Sequence, residues 1–314
     1  MAQTTIATTA TTAPSRRKRN PWPYLFASPY FVIYFLFGLF PILFSLYISF
    51  MDWDGIGNKT FVGLRNYVQL AQDRVFLRSL WNTALLMAAY IPLQIVVGLV
   101  LASMLYGGRM KLKRFFQLAL FLPYITTPVA IGLLFALFFD WQSGLVNRFF
   151  IELGLWTQGV NWLGEPGGAR FVLILMLFWK GFGYCMLIYL AGLATISKDI
   201  YEAAWVDGAK PYQSFFAITI PLLKPVTMFL AITSIIYGFQ LLDEPMLLLA
   251  GWASGSPLIG GPERCCFTPM WYLYDTTFST GNRFGYGASI AYGLFLVIFA
   301  FSLIGIKMFR GDEE

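Results

Sequence analysis

Six apolar runs of membrane-crossing length follow one another along the chain, at 24–50, 79–106, 115–139, 171–197, from about 226 to 242, and at 284–306. Five are free of charge; the fourth contains Lys180. The fifth ends where it meets Asp243, Glu244 and Pro245. A helix needs roughly 20 mainly apolar residues to cross about 30 Å of hydrocarbon. The runs are continuous rather than alternating and far too long for strands. The pattern therefore predicts an all-α polytopic membrane protein with six transmembrane helices.

Charge sets the expected orientation. The segments before the first span, between the second and third, between the fourth and fifth, and after the sixth share one side. They carry thirteen cations: Arg16, Arg17, Lys18, Arg19, Arg109, Lys111, Lys113, Arg114, Lys198, Lys210, Lys224, Lys307 and Arg310. The opposite side carries eight over longer loops: Lys59, Arg65, Arg74, Arg78, Arg148, Arg170, Arg264 and Arg283. The positive-inside rule then places both termini in the cytoplasm. Trp22, Trp53, Trp81, Trp141, Trp162, Trp252 and Trp271 fall at span ends or in outer loops, where an amphipathic ring sits among headgroups.

Composition narrows the chemistry. Hydrophobic residues make up 58% of the 314 and charged residues 12%, which suits a bilayer and not a soluble domain. The net charge of +6 lies in short clusters beside apolar runs, a membrane pattern and not a nucleic-acid one. Histidine is absent, which removes imidazole catalysis and imidazole metal sites. The three cysteines form no Cys-x-x-Cys, so no zinc ribbon or disulfide framework is on offer. Neither a catalytic constellation nor a metal site is expected. Cys265 and Cys266 are adjacent, and free or intermolecularly bonded thiols are both open. None of the nine lysines follows a glycine, so the chain has no phosphate-binding P-loop.

The segment between the fourth and fifth spans, 198–225, is longer than the other cytoplasmic connections. Asp199 with Glu202 reads as a capping box opening a short helix, Tyr201 to Val206 continue it, and Gly208 suits its stop. Pro211 starts a second helical turn, and Pro221 and Pro225 mark a bend back into the membrane. The product is a helix–turn–helix bearing Tyr201, Trp205 and Tyr212. It reads either as a docking knob or as an amphipathic segment lying on the membrane surface.

Glu202-Ala203-Ala204, then Gly208, then Ile218, Ile220 and Pro221, resemble the EAA signature of inner-membrane permease subunits of binding-protein-dependent ABC importers. Ile220 stands where the signature usually has Leu. Asp207-Gly208-Ala209 is similar to the family's usual wording. Pro41 to Phe50, Phe61 to Tyr67, Leu80-Trp-Asn-Thr83, Phe121-Leu-Pro-Tyr124 and Trp179-Lys-Gly181 look like the sugar-importer branch, and specifically its maltose-type upstream subunit. The outer loop at 250–262 is longer than the family's brief Gly-Gly-Gly-Pro stretch.

The resemblance implies a type I ABC importer permease fold and half of a translocation pathway for a carbohydrate. Its implied partners are a second related permease subunit, two ABC ATPase subunits that hold the ATP and Mg, and an extracytoplasmic solute-binding protein. It places the chain in a bacterial inner membrane, in contact with lipid, with no cofactor of its own. Residues 1–22 are expected to be a disordered tail with a basic cluster, 23–78 the first span and outer loop, 79–310 the core permease domain, and 311–314 a cytoplasmic tail. Expected contacts with the ATPase are Tyr201, Glu202, Ala203, Ala204, Asp207, Gly208, Ala209, Ile218 and Pro221. Candidates for the pathway are Lys180, Tyr184, Gln240, Asp243 and Glu244, because ionisable groups at membrane depth are costly. Each has a plainer role open to it: capping for Glu202 and Asp207, a structural ion pair or snorkelling for Lys180, packing for Tyr184, and arrival at water for Asp243 and Glu244. The competing function is a self-contained, ion-coupled secondary transporter. Which sugar is carried is not legible, because similar permeases carry maltodextrins, other oligosaccharides and glycerol-3-phosphate.

Overall fold

The computed structural model describes residues 22–107, 112–249, 259–279 and 281–310. Residues 1–21 of the expected N-terminal tail with its basic cluster, Arg109 and Lys111, residues 250–258 of the long loop, and the tail at 311–314 lie outside the described residues, while Trp22, expected in the tail, is already helical. In chain order the helices are α1 (Tyr24–Ser49), α2 (Arg65–Gln72), α3 (Arg74–Gly107), α4 (Lys113–Ile125), α5 (Pro128–Phe138), α6 (Leu145–Glu152), α7 (Pro166–Thr195) and α8 (Lys198–Val206). They continue as α9 (Pro211–Leu222), α10 (Lys224–Phe239), α11 (Asp243–Leu249), α12 (Pro269–Tyr274) and α13 (Phe284–Arg310). Helices α1, α3, α7 and α13 are each long and apolar enough to cross a bilayer, and the bent pairs α4–α5 and α9–α10 bring the number to six. In hydrocarbon the helix satisfies every internal backbone group, which is why uncharged runs take this form.

The chain divides into two compact units, Met1–Tyr47 and Ile48–Glu314. The first is a helix exposed round almost its whole circumference, with Phe26 81% and Phe37 77% exposed. Its turn widens to a π-helix over Tyr34–Leu39, where the Phe40 amide donates to the Phe35 carbonyl. Pro41 follows at once, brings no amide to the ladder, and pushes its ring against the carbonyl four residues back. The same device recurs in the second unit. The Ile220 amide donates to the Phe215 carbonyl across a π-helical turn, and Pro221 follows.

In the second unit α3 packs along α7, α4 packs on α7, α5 on α11, and α10 on both α3 and α13. Small residues permit the close approaches, as they do in membrane bundles generally. A β-carbon on Gly98 of α3 would lie 2.6 Å from Cys185 Cβ of α7, and one on Gly183 would strike the Leu120 carbonyl of α4. Leu86, Ile131, Leu163, Leu173 and Met176 are among the fully buried side chains of the main core, where α3, α5 and α7 meet.

The third run, expected as one span over 115–139, is bent by 94° between α4 and α5. Thr126 and Thr127 both adopt extended backbone, and for Thr127 the cause is Pro128, which disfavours the α region in the residue before it. The Thr127 hydroxyl then caps α5 by accepting from the Ala130 amide at 3.4 Å. Ahead of the fifth run lies α9, which is bent by 61° from α10 at Leu223, just before Pro225.

The connections around α2 and before α3 are held by buried polar side chains. Asn66 donates to the Ser49 and Met51 carbonyls, both at 2.9 Å. A two-residue antiparallel pair joins Met51–Asp52 to Thr60–Phe61, with Met51 opposite Phe61. Asp73 caps α3 by accepting from the Val75 amide at 2.8 Å, and its other oxygen accepts from the Tyr272 and Tyr286 hydroxyls at 2.5 and 2.6 Å. Burial works against ionisation of Asp73. The two hydroxyls and the Val75 and Phe76 amides outweigh it and hold the carboxyl below the usual carboxylate range. Burial and this carboxylate together push the Tyr272 hydroxyl up to about 12.

Candidate functional site

Two places bring the sequence candidates together. The first is the segment between α7 and α9. Its opening differs from the expected capping box. Ser197, in extended backbone, is the cap and accepts from the Asp199 amide at 3.3 Å, so α8 begins at Lys198 and Asp199 lies inside its first turn. There Asp199 faces the positive end of the helix dipole instead of terminating it. Glu202 is exposed on α8.

The end of α8 is built on Gly208. Its φ of +80° is the left-handed conformation that favours glycine. The Gly208 amide donates to the Trp205 carbonyl at 3.0 Å and the Ala209 amide to the Ala204 carbonyl at 2.9 Å. This crossed pair is a Schellman stop, and it satisfies carbonyls that the helix leaves open. The space around the missing Gly208 β-carbon is empty, so backbone angle and not crowding selects glycine within this chain. Pro211 opens α9, and the Gln213 side chain reaches back to accept from the Lys210 amide at 2.7 Å. The Tyr201 hydroxyl lies 3.0 Å from Thr219 Oγ1 and ties α8 to the π-helical turn that holds Ile218. The aromatics divide: Trp205 is 77% and Tyr212 60% exposed, while Tyr201 is turned partly inward. Together Tyr201, Glu202, Trp205, Gly208 and Ala209, with Tyr106 at the end of α3, border a recess of about 960 Å³. Asp207 and Pro221 are exposed, Asp207 at the α8 stop and Pro221 in α9 beyond the π-helical turn.

The second place is a cleft of about 580 Å³ among α3, α4, α7 and α10, and it receives all five expected pathway residues. Lys180 of α7 and Glu244 of α11 form an ion pair, Nζ to Oε1 at 2.5 Å, with side chains 18% and 13% exposed. Lys180 is therefore neutralised across the cleft, and Glu244 has not simply arrived at water. Asp243 is exposed beside it, and Gln240 ends α10 with its amide on the Tyr237 carbonyl. Tyr184, one turn beyond Lys180, stacks on Tyr124 of α4 with ring centroids 4.6 Å apart and planes 14° from parallel. The sequence candidates omitted Tyr124, Tyr90, Gln94, Ser234 and Tyr237, which also line the cleft. Gln94 carried a signal, being an amide deep in an uncharged span; its Nε2 donates to Ser234 Oγ of α10 at 3.0 Å.

Cys265 and Cys266 lie in the turn before α12. Both are buried and free, with sulfurs 3.5 Å apart. The hydrogen bond between the thiols raises Cys266 well above the usual thiol value and lowers Cys265, which Arg170 also favours as thiolate. Their burial leaves no exposed sulfur for an intermolecular bond. No group of three or more potential metal ligands occurs among the described residues.

Residues 94–307 match the model of the family described as the inner membrane component of binding-protein-dependent transport systems. The chain is 35% identical over 299 residues to the lactose transport system permease protein LacF of Rhizobium radiobacter, covering 94% of this chain and 97% of that one. It is 34% identical over 313 residues to the arabinooligosaccharides transport system permease protein AraP of Bacillus subtilis, covering 95% and 96%. Its fold matches a chain of a bacterial ABC transporter that imports the acidic polysaccharide alginate, with a TM-score of 0.79 at 23% identity over 94% of this chain and 97% of that one. The chain belongs to the family of inner-membrane components of binding-protein-dependent transport systems, and it is a transport permease, not an enzyme.

Proposed function

We propose that this permease carries a neutral oligosaccharide or disaccharide through the cleft between α3, α4, α7 and α10, as one half of the pathway of an ATP-driven importer. The observation that carries the reading is the pairing of Tyr184 on Tyr124 beside the closed Lys180–Glu244 ion pair. Stacked phenol faces offer apolar surface to the C–H faces of a sugar, while Gln94, Gln240 and the tyrosine hydroxyls offer hydrogen bonds to its hydroxyls. The ion pair leaves the cleft without an unbalanced cation for an anionic solute. The names of the relatives, a lactose and an arabinooligosaccharide permease, support the class.

The remaining assignments follow from the same reading. The α8–α9 knob, with Glu202, Ala203, Ala204, Asp207, Gly208, Ala209, Ile218 and Pro221, seats in a separate ATPase and passes its closure to α7 and α10. Exposed Trp205 and Tyr212 give such a docking surface its aromatic anchors. A second related permease completes the pathway, and a binding protein delivers solute from the side opposite the knob. Both termini lie on the knob's side. On the same reading 23–78 are the first span and its outer loop, and 79–310 the core permease domain.

ATPase stimulation of the reconstituted complex by a panel of binding-protein–sugar complexes tests the reading. Neutral disaccharides or oligosaccharides should stimulate and charged sugars should not. Uptake that runs on an ion gradient without ATP would favour the secondary-transporter alternative, for which Lys180, Asp243 and Glu244 are the coupling candidates.

A further inference from the structure

Three arginines face one small cleft at the outer end of α3. Arg74, Arg78 and Arg264, with Ser79, Asn82 and Phe267, line a cavity of about 160 Å³, the scale of a single phosphate group with its water. Arg74 and Arg78 stand four residues apart in the first turns of α3, so their charges repel along one helix face. Both also sit at the positive end of the helix dipole, where a cation is disfavoured. Arg264 is brought to the same cleft by two successive left-handed residues, Glu263 at φ 51° and Arg264 at φ 56°. Backbone of that kind costs free energy in residues with a side chain and persists where the surroundings enforce it. Here buried Asn82 of α3 holds it, its amide donating to the Arg264 carbonyl at 2.8 Å. Among the described residues no carboxylate forms an ion pair with any of the three. Asp73, next to Arg74, has both oxygens hydrogen-bonded to amides and tyrosine hydroxyls, and Glu263, next to Arg264, forms no ion pair.

From the same end of α3 an exposed apolar stripe runs along the helix. Leu77 is 49%, Trp81 69%, Leu85 38% and Leu93 45% exposed. Arg264 also lies over the Phe267 ring, 5.7 Å from its centroid, but three cations without a carboxylate partner at the head of an apolar stripe that includes Trp81 match the two ends of one amphiphile. We infer that this cleft binds the phosphate of an anionic phospholipid whose acyl chains run down the α3 stripe. The phosphate cancels the repulsion between Arg74 and Arg78, and the chains cover the apolar surface beneath. An acidic surface of a soluble partner would meet the same cations but would leave the stripe unused.

The test uses the tagged permease with the subunits that co-purify with it, delipidated and titrated with phosphatidylglycerol, with phosphatidylcholine and with inorganic phosphate, bound lipid being counted by native mass spectrometry. The unaltered complex should retain phosphatidylglycerol in preference to phosphatidylcholine. Arg74→Gln with Arg78→Gln should weaken that binding roughly tenfold or more and remove one lipid per chain. Arg74→Lys with Arg78→Lys should keep most of it, which a merely structural role for the guanidiniums would not. The glutamine pair relieves repulsion at a helix start, so assembly should persist. If it does not, Arg264→Gln, on an exposed side chain outside α3, should show the same loss. Unchanged lipid retention in the glutamine variants overturns the inference. So does displacement of the lipid by inorganic phosphate, or a loss confined to association with a binding protein.

Discussion

Lys180 and Glu244, sixty-four residues apart in sequence, meet at 2.5 Å where α7 faces α11 across the polar cleft. Each is costly at membrane depth alone, and each removes the other's cost. Single and double substitutions should therefore behave very differently. Lys180→Met leaves the Glu244 carboxylate unpaired and should destabilise the complex by about 2 kcal/mol, less than the ~3–5 kcal/mol of a fully buried pair because both side chains retain some contact with water. Lys180→Met combined with Glu244→Met should recover most of that loss in thermal unfolding, while transport stays impaired. Additive effects of the two substitutions would show that the pair makes no net contribution.

Gly208 separates a backbone requirement from a packing one. Its β-carbon would meet nothing within 4 Å, so substitution acts through φ +80°. Gly208→Val should cost about 1–2 kcal/mol locally and unwind the α8 stop, lowering ATPase retention on the tagged permease and ATP-driven transport with near-normal membrane insertion. Gly208→Asn, which tolerates the left-handed region, should retain more of both than valine does. Full retention and full transport in the valine variant would remove the knob from the coupling role. A loss of lipid association alone would place the segment on the membrane surface instead.

Asp73 fastens the start of α3 to α12 and α13 through two tyrosine hydroxyls. Its carboxyl is held below its unfolded-state value, so its contribution is complete above about 3.9 and is lost as pH falls through the folded-state value. Asp73→Asn should lower thermal stability at neutral pH by about 2 kcal/mol and flatten the acid limb of the stability profile. An acid limb identical to that of the unaltered protein would show that Asp73 contributes nothing to it.

The orientation expected from the cation imbalance predicts a labelling pattern. With Cys185, Cys265 and Cys266 already buried, a membrane-impermeant thiol reagent added from outside should reach cysteines placed at Lys59 and Gly159 and miss one at Lys210. The reverse pattern would invert the topology and move the α8–α9 knob to the outer face.

The helical character of the chain was legible because crossing a bilayer constrains composition strongly: 24–50 and 79–106 could hardly be anything else. Gly208, Pro211 and Pro221 were legible because local backbone chemistry alone sets a helix stop, a helix start and a bend. The cap of α8 was misread by two residues, since Ser197 and Asp199 are both good caps and only the path of the chain leaving α7 selects between them. The bend at Thr126–Thr127 carried a local signal in Pro128, but the 94° angle depends on what α4 and α5 pack against.

The sequence by itself determined where the chain crosses the membrane, which residues are too polar to lie there without a reason, and where the α7–α9 connection turns. Those properties depend on transfer free energies and dihedral preferences of residues near one another in the chain. Only the tertiary structure decided that Lys180 faces Glu244, that Tyr124 lies flat on Tyr184, and that Arg264 joins Arg74 and Arg78. Each of these joins separate helices or turns, and the register between packed helices is set by the fit of side chains such as Gly98 against Cys185, which no single stretch of sequence contains.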